Sequence, residues 1–263
     1  MRASQVPTST LRVALAEYDT GWHQPESSLE RAAVCVQRAA STGARLVVLP
    51  EMCTTGFTMD PAQAEPADGP SGRALGRMAA ESRVHVVAGL AVRECVAGAD
   101  RVVNVALHIG PDGEVRASYR KQRLFAYAGE GAVYTPGSVP EVIDVEGVRF
   151  ALFVCYDLRF PELFRRVARE VDAMIVLANW PASRRAHWDA LLPARAIENQ
   201  CCVVAVNRRG QGGGVAYDGG SVAFDAWGAR LPAGAGDVAI VEVDPAAVRA
   251  VRAEYPFLKD YQG

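Results

Sequence analysis

The sequence predicts a single α/β domain with helices on the outside and sheets within. Three observations support this. Strand-like and helix-like runs alternate from Leu11 onward. Half of the 263 residues are hydrophobic. No Pro/Ser-rich linker divides the chain. A layered domain of this length buries roughly three quarters of the surface of its unfolded chain, enough for a sizeable core.

The run LRVALAEY (11–18) is an apolar strand. Ser27 with Glu30 three residues later reads as a capping box. Leu29, Ala33, Val36 and Ala40 then keep helical spacing until Gly43 ends the helix. RLVVLP (45–50) is a buried strand whose last step delivers Glu51. A second helix begins near Ser71, and VHVVAGLAV (84–92) is another buried strand. RVVNVALHIG and EVRASYRK flank the turn sequence Pro111-Asp112-Gly113 and read as a hairpin. EVIDV and VRFALFV pair around Glu146-Gly147. A helix from about Phe160 to Glu170, the strand DAMIVLAN (172–179), a helix from about Arg185 to Asn199 and the strand CCVVAVN (201–207) follow. A glycine-rich loop from Gly210 to Gly214 leads to two late strands near 220–225 and 238–243. Pro245, a good first-turn residue, opens the closing helix.

A net charge of −2 gives no electrostatic case for nucleic acid or an anionic membrane. No segment holds eighteen uninterrupted apolar residues, so no membrane span is expected. Residues 1–10 are polar, without the apolar stretch of a secretory signal, and read as a flexible tail ahead of a domain spanning 11–263. Six cysteines form no CxxC pair and no metal-ligand spacing. They read as reduced thiols, and a cytoplasmic location is expected. Of 28 basic residues only two are lysines, Lys121 and Lys259. Where Arg is the default, an interior Lys invites a chemical reason.

Three residues carry candidate chemistry. Glu51 directly follows a buried strand, at the edge where open α/β sheets place ligands, and burial there suits a carboxylate to general-base work. The alternative is a strand-end carboxylate facing water. Cys155 lies between the strand VRFALFV and a helix. A nucleophile on such a turn is exposed to substrate, with backbone N–H groups at hand for an oxyanion. The alternative is a buried, inert thiol, which Cys35, Cys201 and Cys202 fit well inside their apolar runs. Lys121 ends a strand in YRKQRLF and could stabilise an oxyanion with a compact ammonium, unless it is a solvated strand-end charge.

In order, LPEMCTTGF (49–57), YRKQRLF (119–125) and FVCYDLRFPE (153–162) closely resemble the three signature segments of the nitrilase superfamily of carbon–nitrogen hydrolases. The resemblance runs from about Leu11 to Val251 and includes TPG (135–137), ANWP (178–181) and RAIENQ (195–200). It implies that Glu51 is the general base, Lys121 the oxyanion stabiliser and Cys155 the nucleophile, with the backbone N–H of Tyr156 sharing the oxyanion. Glu130, six residues before Pro136, matches a second glutamate of the family. The implied fold is a four-layer αββα sandwich that pairs into an eight-layer homodimer, with neither metal nor cofactor. A carbon–nitrogen hydrolase domain would then fill residues 11–263.

After the nucleophile stands Tyr156-Asp157, where enzymes of true nitriles more often carry Trp-Glu, so an amide is favoured. The FVCYDLRFPE, ANWP and HWDALLPARAIENQ segments look most like the omega-amidases, which act on 2-oxoglutaramate or 2-oxosuccinamate. An amidase of deaminated glutathione or of an N-carbamoyl amino acid is the alternative, and a non-catalytic binding protein on the same fold a remoter one. No GxSxG supports a serine hydrolase, and RRGQGGG (208–214) misses the GxGxxG spacing of a nucleotide site. Arg159, four residues beyond Cys155, is a candidate clamp for a substrate carboxylate. An ion pair with Asp157 or Glu162 is its alternative. Asn179 and Trp180 either line the substrate pocket or pack a strand end. His187 and Trp188 lie on a helix near the site.

Overall fold

The computed structural model describes residues 10–96, 98–234 and 236–262. Of the expected tail, residues 1–9 lie outside the described residues. In the first half, β1 (Leu11–Ala16), α1 (Pro25–Ser41), β2 (Leu46–Val48), α2 (Pro70–Ser82) and β3 (His85–Val96) precede the hairpin of β4 (Ala99–Ile109) and β5 (Val115–Arg120). The second half opens with the hairpin of β6 (Val142–Val145) and β7 (Val148–Val154), then α3 (Pro161–Val167), β8 (Ala173–Ala178), α4 (Arg185–Asn199) and β9 (Cys202–Asn207). Four strands, β10 (Arg209–Gly212), β11 (Val215–Asp218), β12 (Val222–Phe224) and β13 (Val238–Val243), lead to α5 (Pro245–Glu254).

These strands form a six-stranded sheet in the order β13-β1-β2-β3-β4-β5, a five-stranded sheet in the order β12-β9-β8-β7-β6, and the separate β10–β11 hairpin. Strands β1, β2 and β3 run parallel, as do β7, β8 and β9, and the outer partners are antiparallel. Side-chain alternation explains the layers. In β1, Val13 and Leu15 pack with Phe150 and Leu152 of the second sheet, while Ala14 and Ala16 pack with Val36 of α1 and Leu75 of α2. In β2, Leu46 and Val48 face the other sheet and Val47 faces the helices. Leu163 and Phe164 of α3 and Trp188 and Leu192 of α4 cover the far side of the second sheet. The architecture is the αββα sandwich, in one α/β domain.

Three local expectations change. Helix α1 begins before the expected capping box at Ser27 and Glu30, because Pro25 occupies its first turn behind Gln24. The buried hydroxyl of Ser28 anchors the entry instead, donating to the carbonyls of Thr20 and Gln24. The glycine-rich segment is not a loop but the β10–β11 hairpin, turning at Gly213-Gly214 with φ of +58° and +78°. Positive φ at both central residues is what a tight hairpin needs. The fully buried guanidinium of Arg208 holds this hairpin to the domain through Asp19, Gly21 O and Gln211 O. Finally, α3 is shorter than expected, because Cys155–Arg159 forms a 3₁₀ turn before Pro161 opens the helix.

Candidate active site

The candidate residues sit where strands run out at one end of the sandwich. Beyond β2, the backbone turns sharply after Glu51, and Met52 adopts a φ of +41°. The turn lies flat on β3, with Cys53 N–H donating to Gly89 O at 2.8 Å and Gly89 N–H donating to Pro50 O at 3.1 Å. Only glycine allows this approach, since a Cβ at position 89 would lie 2.4 Å from Glu51 Cα. Lys121 follows β5, its N–H donating to Asn104 O at 2.9 Å. Cys155 follows β7 and holds a φ of +46°, an uncommon conformation for a residue with a side chain.

The structure brings Glu51, Lys121 and Glu130 into one fully buried cluster. Lys121 Nζ donates to Glu51 Oε1 at 2.9 Å and to Glu130 Oε1 at 3.0 Å. Asn104 Nδ2 donates to the same two oxygens, at 2.8 and 2.9 Å. Glu51 Oε2 accepts from the N–H of Asn179 at 2.9 Å, and Asn179 Nδ2 donates to Glu51 O at 2.6 Å. Glu130 Oε2 accepts from Phe125 N–H at 2.6 Å. Burial opposes the Lys121 charge, but Glu51 and Glu130 outweigh it and hold the ammonium above the ordinary lysine range.

Cys155 stands beside this cluster, its Sγ 3.9 Å from Asn179 O. Burial and the negative charge of Glu51 push its thiol well above the ordinary value, and Lys121 pulls the other way. The thiol is therefore protonated at neutral pH and needs a base. Buried Cys35 and Cys53 also titrate high, at about 11 and about 12, but both lie in the core behind the six-stranded sheet.

A buried carboxylate absent from the sequence-level candidates holds the Cys155 turn. Asp157 accepts from Val154 N–H at 2.9 Å, Arg123 N–H at 2.8 Å and Tyr119 Oη at 2.8 Å. Burial lifts its carboxyl to about 6 against these donors. With Asp157 so engaged, and Glu162 paired with Arg123 at 3.3 Å, neither meets Arg159. Arg159 instead stacks its guanidinium 4.8 Å from the Trp180 ring centroid. It also donates to His187 Nδ1 at 3.1 Å.

Cys155, Tyr156, Arg159, Asn179 and Trp180 all border one cavity of about 230 Å³. Phe57, Phe125 and Tyr217 supply apolar wall, and Arg184 a second guanidinium, 5.2 Å from the Phe125 ring centroid. Asn179 and Trp180 thus both line the cavity and pack a strand end. Trp180 is fixed by Asn207, whose Oδ1 accepts from Trp180 N–H at 2.7 Å and whose Nδ2 donates to Trp180 O at 2.9 Å. Trp188 is fully buried, donating to Gly220 O at 2.9 Å.

Sequence reasoning missed Asn104, Asp157, Asn207, Gly89 and Arg184. A lone amide inside the apolar run RVVNVALHIG was the one legible signal, because a polar group in a buried strand needs partners. Among the described residues, no group of three His, Cys, Asp or Glu side chains is arranged to hold a metal ion. None of the described helices is long and apolar enough to cross a membrane.

Comparison with known proteins finds likeness along nearly the whole chain. The carbon–nitrogen hydrolase family profile matches residues 12–253. The chain is 32% identical over 254 residues to the 2-oxoglutaramate amidase of Bacillus subtilis, covering 94% of this chain and 96% of that protein. Among solved structures it is similar to a carbon–nitrogen hydrolase superfamily protein of Xanthomonas campestris with an arsenic adduct in its active site. The TM-score there is 0.89 at 32% identity, over 97% of this chain and 98% of the other. It is also similar, at 28% identity and a TM-score of 0.80, to a mutant amidase of Nesterenkonia sp. AN1, over 97% and 99% of the two chains. That protein carries the acetamide moiety of fluoroacetamide at its active site cysteine. With fold, strand-end cluster and likeness along nearly its whole length in accord, this chain belongs to the nitrilase superfamily of carbon–nitrogen hydrolases, as an amidase-type enzyme with a cysteine nucleophile.

Proposed function

We propose that this enzyme cleaves the terminal amide of a small carboxylate-bearing substrate, such as 2-oxoglutaramate or 2-oxosuccinamate, through a thioester on Cys155. One observation carries the reading. The small cavity beside Cys155 presents two guanidinium groups, Arg159 and Arg184, neither of which has a carboxylate partner among the described residues. A guanidinium aimed into an aromatic pocket suits a ligand carboxylate, which it can grip with two parallel hydrogen bonds. The name of the Bacillus subtilis relative points to the same substrate class.

The chemistry follows from the charges. The buried cluster holds two carboxylates and one ammonium. Forming a free thiolate would add a further negative charge there, whereas moving the thiol proton to Glu51 leaves the total unchanged. Glu51 therefore serves as base while Cys155 attacks the amide carbon. Lys121 and the N–H of Tyr156 receive the developing oxyanion. Glu51 returns the proton to the leaving nitrogen, and ammonia departs. It then takes a proton from water, which cleaves the thioester, releases the acid and restores the thiol. Glu130 fixes Lys121 from the other side. As in its family, the chain would act as a homodimer without disulfides, and the exposed aromatic group of Trp227, Tyr255 and Phe257 is available to such a contact.

The test is kinetic. Arg159→Lys should lower kcat/KM for 2-oxoglutaramate at least tenfold more than for an uncharged amide of similar length. Equal losses would make Arg159 structural and leave the carboxylate reading on Arg184 alone.

A further inference from the structure

We propose that Asn104 is a positioning residue that sets the protonation behaviour of the Glu51–Lys121–Glu130 cluster by dividing its two amide hydrogens between the carboxylates. The inference deepens the reading above and rests on Glu51 as the base. Asn104 is only 1% exposed, on β4, opposite Ala91 of β3. Its Nδ2 lies 2.8 Å from Glu51 Oε1 and 2.9 Å from Glu130 Oε1. Lys121 Nζ lies 2.9 and 3.0 Å from those same oxygens. The four polar atoms thus close a ring in which each carboxylate oxygen accepts one ammonium and one amide hydrogen. The main chain of Asn104 joins in, since its carbonyl accepts the Lys121 N–H at 2.9 Å.

The chemistry of the ring fixes the amide orientation. A flipped Asn104 would aim its own oxygen at two carboxylate oxygens inside hydrogen-bond distance. Held the other way, Oδ1 is buried and meets no donor among the described residues. A buried acceptor left without a donor is unfavourable, and it calls for a reason. Here the reason is the shortage of donors. Asn179 N–H and Phe125 N–H serve the two Oε2 atoms. Without Asn104 the two Oε1 atoms would keep only the ammonium they share, and a carboxylate pair poorer in donors takes up a proton more readily. A protonated Glu51 cannot accept the thiol proton of Cys155. The other titratable groups that face the cluster are Cys155, Tyr134, Tyr217 and Asp157, and none is a cation. Asn104 is therefore the one neutral side chain that gives hydrogens to both carboxylates among the described residues.

The test compares pH profiles of ammonia release from 2-oxoglutaramate for wild type, Asn104→Leu, Asn104→Asp and Asn104→Ser, with Glu51→Gln in parallel. Leu removes both donors at similar volume, Asp replaces them with a third acceptor, and Ser keeps a single hydroxyl donor. Expected is an acid limb of kcat/KM moved to higher pH in Leu and further in Asp, with Ser between Leu and wild type. The loss at pH 7 should be at least tenfold and lie mainly in kcat. If Leu and Asp do not fold, Ser alone decides by whether its acid limb moves. A uniform loss with an unmoved acid limb, alongside an inactive Glu51→Gln, overturns the role of Asn104 alone. An active Glu51→Gln overturns the assignment of the base, and this inference with it.

Discussion

Replacing Gly89 by Ala tests how closely the position of Glu51 is tied to its neighbouring strand. The new Cβ would sit 2.4 Å from Glu51 Cα, 2.8 Å from Met52 N and 2.8 Å from Pro50 O. All three are backbone atoms, so no side chain can swing aside. Ordinary contact begins at 3.4 Å, so the Glu51 turn must retreat by about 1 Å. It cannot do so freely, because hydrogen bonds clamp it on both sides of Gly89 and the Glu51 carboxylate is held by Lys121, Asn104 and Asn179. Misplacement of a reacting group by about 1 Å costs on the order of 10² in rate. Overpacking of this kind destabilises by roughly 1–3 kcal/mol. In a chain of this size each kcal/mol moves Tm by only about 2–4 °C, so the protein should remain folded. Steady-state ammonia release and calorimetry together read both effects. A Gly89→Ala enzyme with wild-type kcat/KM would show that the turn moves independently of the reacting geometry and refute the argument.

Other outcomes follow from the same geometry. Cys155→Ala should abolish ammonia release with Tm near wild type, and alkylation of wild type should track inactivation at that thiol alone; turnover in the variant would sink the thioester route. Lys121→Arg should lose on the order of 10²–10³ in kcat, nearly as much as Lys121→Ala, because a planar guanidinium cannot replace a compact ammonium between two carboxylates. An Arg variant that keeps most of its kcat would mean that positive charge suffices. Far from the cavity, His85 Nδ1 and His108 Nε2 meet at 3.0 Å in a buried pair. Burial, with His85 beside it, lowers His108 from its ordinary value to about 4. The native state then binds fewer protons than the unfolded chain, so stability present above pH 6.5 is lost as pH falls toward 4. Denaturation at pH 7 and pH 4.5 should differ by about 2–3 kcal/mol more for wild type than for His108→Gln. Equal differences would mean the pair does not carry the acid sensitivity.

Much of this site was legible in the sequence because its parts are local. Glu51, Lys121 and Cys155 each stand just past a strand, and strand ends announce themselves through runs such as RLVVLP and VRFALFV. The apolar run LRVALAEY likewise announced the first strand, whereas the division of Val13 and Leu15 from Ala14 and Ala16 between its two faces came only with the packed layers. Short-range chemistry was read less well. Pro25 displaced the capping signal at Ser27, and two adjacent glycines made a hairpin where their number suggested a loop. What remained hidden is what joins distant segments. Asn104 reaches Glu51 across 53 residues of chain, and Asn179 reaches it across 128. Sequence periodicity reports which face of an element is buried, and says nothing about which strand ends come to lie side by side. The superposition of two sheets decided that one amide would serve two carboxylates and that one glycine would press against the Glu51 turn. Those contacts set the distances, charge balance and donor count on which the chemistry depends, and they exist only once the sheets have packed.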